Sequence, residues 1–167
     1  MKKSGFPPVI GGRPRVLILG SMPGEESLRR QQYYAHPRNQ FWPIICELLS
    51  MDMTADYQAR TLALIKHGIA LWDVIGQCRR QGSLDTSIVT ESIEVNDFSA
   101  LLAEYDSIEY ICFNGRKAEN EFYKRVLPEL SLSRTIHFIL LPSTSPAHAC
   151  MNMADKLLKW LQVIQLL

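Results

Sequence analysis

Arg15-Val16-Leu17-Ile18-Leu19-Gly20 is a short, unbroken apolar run closed by a glycine. An amphipathic helix would break such a run with polar residues at helical spacing, and a half-exposed strand would alternate, so the run predicts a strand buried on both faces of a parallel sheet. Ile69 to Val74, Ile108 to Phe113 and Ile136 to Leu141 repeat the pattern. Helical stretches fall between them: Asn39 to Leu49, with Pro43 tolerable in its first turn, and Ala55 to His67, ended by Gly68. A helix capped by Asn96 follows, then one from Arg116 stopped by Pro128, and a last one capped by Asn152. Gly76 to Thr86 has no periodicity and predicts a loop. Strands alternating with amphipathic helices give the α/β class, as a three-layer α/β/α sandwich with a mostly parallel central sheet.

The chain has 167 residues, 47% of them hydrophobic and 21% charged, which predicts one folded domain spanning residues 1–167. Met1 to Ile10 carries no apolar run of signal-peptide length and no later stretch is long enough to span a membrane, so a cytoplasmic, monomeric protein with no membrane partner is expected. Cys46, Cys78, Cys112 and Cys150 lie far apart with no C-x-x-C pair, and the four histidines show no ligand spacing. Reduced thiols and no metal are expected. A net charge of +1 excludes a protein that holds nucleic acid by bulk charge, and small basic groups such as Arg79/Arg80 read as solvated surface.

In open parallel sheets ligands bind beyond the carboxyl ends of the strands. Three polar segments follow predicted strands: Gly20-Ser21-Met22-Pro23-Gly24, Asn114-Gly115 and Pro142-Ser143-Thr144-Ser145-Pro146. They should converge on one cleft. The first has neither the G-x-G-x-x-G spacing of a dinucleotide site nor the lysine of a P-loop, so no nucleotide cofactor is expected. Ser143 and Ser145 lack the G-x-S-x-G elbow of a serine hydrolase despite nearby His148.

The order Gly20-x-x-Pro23-Gly24, Ala35-His36-Pro37-x-Asn39-x-Phe41-Trp42, Asn114-Gly115-x-x-Ala118 and Pro142-Ser143 resembles the uracil-DNA glycosylase superfamily over nearly the whole chain. The second motif is similar to that of the mismatch-specific uracil enzymes. Gly20 to Gly24 and Leu141 to Ala147 are more similar to the deoxyinosine (hypoxanthine) branch. Met22 and Leu141 stand where the wider superfamily usually has polar groups, and in the deoxyinosine branch the catalytic candidate is the asparagine matching Asn39.

The resemblance therefore implies a monofunctional, cofactor-free glycosylase acting on DNA with deaminated bases, hypoxanthine first and uracil second. Asn39 is the expected catalytic residue, its amide oxygen orienting water toward an oxocarbenium-like sugar. Gly20, Ser21, Met22, Tyr34, Phe41 and Asn114 are the expected base contacts, with Tyr34 stacking, Met22 and Leu141 giving an apolar pocket and Asn114 reading a base edge. Arg38, Ser143, Thr144 and Ser145 are the expected DNA-backbone contacts. Structural alternatives stand beside these roles: Asn39 and Asn114 are equally helix-capping residues, and Phe41 and Trp42 are more often core residues than ligand contacts. A mismatch-specific uracil glycosylase and a non-catalytic lesion binder remain the rival functions. Ser83 and Asp85 receive no role.

Overall fold

The computed structural model describes residues 1–167. In chain order the elements are β1 (Lys2–Ser4), β2 (Val16–Gly20), α1 (Glu25–Arg30), α2 (Phe41–Leu49), α3 (Tyr57–Lys66), β3 (Ile69–Asp73), β4 (Ile75–Arg79), β5 (Glu94–Val95), α4 (Phe98–Glu104), β6 (Tyr110–Asn114), α5 (Arg116–Glu121), β7 (His137–Leu141) and α6 (Met153–Gln165). Strands β3-β2-β6-β7 form a four-stranded sheet in which every pairing is parallel. All five residues of β2 and of β3 are buried, as an unbroken apolar run requires when layers cover both sheet faces. The α/β sandwich read from the sequence is the observed architecture.

Helix signals act locally as expected at several ends. Asp56 and Asn152 accept hydrogen bonds from Ala59 N and Asp155 N at the starts of α3 and α6. The structure corrects three local expectations. Asp97 caps α4 by accepting from Ala100 N, while Asn96 instead donates to the Asp73 carbonyl 2.7 Å away. The segment from Gly76 is not wholly loop, because β4 pairs antiparallel with β1 and β5 in a second, three-stranded sheet. Its short strands and polar sequence hide it from periodicity. The helix from Arg116 loosens into a π turn at Phe122–Val126 before the 3-10 turn that contains Pro128. No helix is long and apolar enough to cross a membrane.

Candidate active site

Register fixes the centre of the site. Gly20 and Asp73 are partners at the carboxyl ends of β2 and β3, and Asn114 and Leu141 are partners at the ends of β6 and β7. The loops leaving these ends enclose a cleft of about 590 Å³. Every expected site residue except Phe41 lines it: Asn39, Gly20, Ser21, Met22, Tyr34, Asn114, Arg38, Ser143, Thr144 and Ser145. Asp73, Ser83, Asp85, His36 and His148 join them.

Asn39 makes an Asx turn: its Oδ1 accepts from Phe41 N at 2.9 Å, satisfying an N–H at the start of α2. It thus serves the helix end while keeping a second lone pair and its NH2 group for the cleft. Gln40 N donates to Thr144 O at 3.0 Å, which ties this loop to the one after β7. Trp160 on α6 donates to Pro142 O at 2.9 Å and holds the latter loop from behind.

Tyr34 has φ +57, a left-handed conformation that an aromatic residue rarely adopts and that surrounding contacts must hold. Its neighbour Tyr33 supplies them, accepting at its carbonyl from Trp42 Nε1 and donating its hydroxyl to Pro7 O, both at 3.0 Å. The Tyr34 ring stacks on Phe41 with centroids 4.0 Å apart. Phe41 is fully buried and forms no part of the cleft wall, so the expectation of a direct base contact is corrected: the ring underpins Tyr34. Leu141 is likewise buried away from the cleft, and of the expected apolar pair only Met22 reaches it. Leu141, the one fully buried residue of the edge strand β7, belongs to the main hydrophobic core.

Asn114 caps nothing. Its Nδ2 donates to Thr144 Oγ1 and its Oδ1 accepts from Thr144 N, both at 2.9 Å, leaving one N–H and one lone pair uncommitted. Thr144 is fully buried and its hydroxyl is engaged there, so its expected phosphate contact gives way to a positioning role. Ser143 and Ser145 remain at the cleft rim, their hydroxyls accepting from Ser145 N and Ala147 N. Gly115 at φ +97 leaves only 2.9 Å between a hypothetical Cβ and Ser143 Cβ, which makes glycine the fitting residue where β6 turns into α5.

The loop after β4 closes the other side. Ser21 donates its hydroxyl to Asp85 Oδ1 at 2.7 Å, and Glu25 N donates to Ser83 Oγ at 2.8 Å. Arg80, expected at the surface, is 1% exposed: it donates to Gly82 O and Pro23 O and so pins the loop to the Gly20–Gly24 turn. Burial raises the Asp85 carboxyl above the usual aspartate range, against the lowering effects of Ser21 and Arg80.

Asp73 is the site residue that sequence reasoning missed. It is 5% exposed, its Oδ1 lies 2.5 Å from where a Cβ on Gly20 would stand, and its Oδ2 is buried with no hydrogen-bond partner. Burial, reinforced by the Asp85 charge and opposed by Arg80, pushes its pKa from 3.8 up to about 7. The available signal was its place as an acidic residue at the carboxyl end of a buried strand.

Fold and cleft define a class: an α/β/α protein with one polar, aromatic-walled pocket at the carboxyl ends of a parallel sheet. The family model of the uracil DNA glycosylase superfamily matches residues 7–165, and the chain belongs to that superfamily. It is 44% identical over 119 residues to a hypoxanthine DNA glycosylase of Methanosarcina barkeri, covering 71% of this chain and 74% of that one. A hypoxanthine DNA glycosylase of Methanosarcina acetivorans is 39% identical over 149 residues, 89% of each chain. A solution NMR structure from Methanosarcina acetivorans, described as a candidate uracil DNA glycosylase, matches with a TM-score of 0.80 at 35% identity, covering 99% of this chain and 98% of that one. Within the superfamily the chain stands with the hypoxanthine branch.

Proposed function

We propose that this chain is a monofunctional DNA glycosylase that hydrolyses the N-glycosidic bond of deaminated nucleotides, hypoxanthine first. The observation that supports it best is convergence: Tyr34 and Asn39, from the loop between α1 and α2, and Asn114, from the end of β6, line one cleft. A base must leave the duplex stack to enter such a cleft, at a cost of a few kcal/mol that is smallest at a mismatch or lesion. Tyr34, stiffened by Phe41 beneath it, offers a face on which the extruded base stacks. The free N–H and lone pair of Asn114 read the base edge, held in place by Thr144.

Asn39 orients the water. Its amide is too weak a base to ionise water, but a sugar that already carries oxocarbenium character needs only a placed nucleophile. Arg38, exposed beside it, meets a backbone phosphate together with the Ser143 and Ser145 rim. No lysine lines the cleft, so no amine stands ready to form a Schiff base with the opened sugar. The product is an abasic site with an intact strand.

The test is release of free base from oligonucleotides carrying one deoxyinosine, one deoxyuridine or neither, by the wild type and Asn39→Ala. Multiple-turnover hypoxanthine release that drops by at least about a hundredfold in the variant is the expected outcome. Release of uracil alone would move the chain to the mismatch-specific type, and lesion binding without release would make it a binding protein.

A further inference from the structure

Asp73 has no bonding partner within the protein for its outer oxygen. Arg80 donates from Nε and Nη2 to Gly82 O and Pro23 O, its Nη1 is buried without a partner, and no hydrogen bond joins it to Asp73, while Asn96 takes the Asp73 backbone carbonyl and leaves the carboxyl alone. Tyr34 Oη, from the opposite wall, lies 3.3 Å from the point above Gly20 that Asp73 Oδ1 also crowds, and it too is buried without a partner. The titratable and charged groups that bear on Asp73 are Asp85 and Arg80 from the loop after β4, Tyr33 and Tyr34 from the loop before α2, and Tyr57 at the start of α3. His36 and His148 line the same cleft. A buried carboxylate with no partner is costly, whereas a neutral carboxyl is a hydrogen-bond donor that still lacks an acceptor. The chain supplies none, and the cleft is where one can enter.

We propose that Asp73 is a second catalytic residue, the acid that gives its proton to N7 of the departing hypoxanthine. This rests on the hypoxanthine reading of the same cleft. As the C1′–N9 bond breaks, its electron pair flows into the purine, and a proton delivered to N7 lets the base depart neutral rather than as an anion. The water held by Asn39 contributes its oxygen to C1′ and the proton it loses restores the Asp73 carboxyl, so one water is consumed per base released. A pyrimidine has no N7 to take this proton, so the residue favours purine lesions through chemistry as well as pocket shape. Since burial holds the carboxyl protonated up to about pH 7, the acid is present at neutral pH and is lost above it.

The experiment is single-turnover release of hypoxanthine from a deoxyinosine oligonucleotide by the wild type and Asp73→Asn between pH 5.5 and 9. Binding of the oligonucleotide and the melting temperature are followed as folding controls. The wild-type rate is expected to fall about tenfold per pH unit above roughly pH 7, and the variant to be about a hundredfold slower with that fall abolished while still folding and binding. A variant within threefold of the wild type, or a slow one that keeps the wild-type alkaline fall, overturns the assignment. A wild type that releases no hypoxanthine overturns the functional reading instead, an outcome distinct from loss in the variant alone.

Discussion

Replacing Asp73 by asparagine removes one titration from the fold and little volume, so its effect on stability is best read as a function of pH. The unfolded carboxyl ionises near 3.8 and the folded one near 7. Between those values the folded state binds more protons than the unfolded state, and stability falls as pH rises. The loss proceeds at about 1.4 kcal/mol per pH unit and reaches roughly 4 kcal/mol by the time both states are ionised. Below the unfolded value the wild type and Asp73→Asn both present a neutral group, and above about pH 7 only the wild type carries a buried, unpaired charge. Urea unfolding of both proteins from pH 4 to 9 should therefore show the variant gaining on the wild type by roughly 4 kcal/mol across the window, then holding level. Other titrating groups largely cancel in the difference. A difference that stays constant to within about 1 kcal/mol from pH 4 to 8 would refute the claim that Asp73 is kept neutral by burial.

Gly20→Ala should place a methyl group 2.5 Å from Asp73 Oδ1 and 3.3 Å from Tyr34 Oη. A loss of about 1–3 kcal/mol in denaturant unfolding is expected, with a fall in base release; unchanged values in both would show that the carboxyl moves aside freely. Thr144→Val removes the hydroxyl that accepts from Asn114 Nδ2 in a buried site. It should cost about 1–3 kcal/mol and raise KM for a deoxyinosine oligonucleotide more than it changes binding to undamaged DNA, and equal effects on both would argue against base reading by Asn114.

The parallel sheet was legible in the sequence because burial on both faces leaves a local mark at its centre, an unbroken apolar run such as Val16 to Leu19. The loops after those strands were legible for the same reason, since a sheet whose faces are covered opens only at its ends, and Gly20, Asn114 and Ser143 line one cleft there. Caps such as Asn152 were readable because a cap acts within three residues of itself. What tertiary structure alone decided depends on groups distant in the chain. Arg80 looks like an ordinary surface charge by composition, and only its bonds across the loop after β4 to the Gly20–Gly24 turn show it buried, while the unpartnered state of Asp73 depends on Gly20, Tyr34 and Asp85, which come from other segments. The same letter Asn supports two different arrangements, an Asx turn at Asn39 and a two-bond clasp on Thr144 at Asn114, because the available partner differs in space. Periodicity records which face of an element meets the core, whereas the charge state and free valences of a site residue are set by partners that no local pattern encodes.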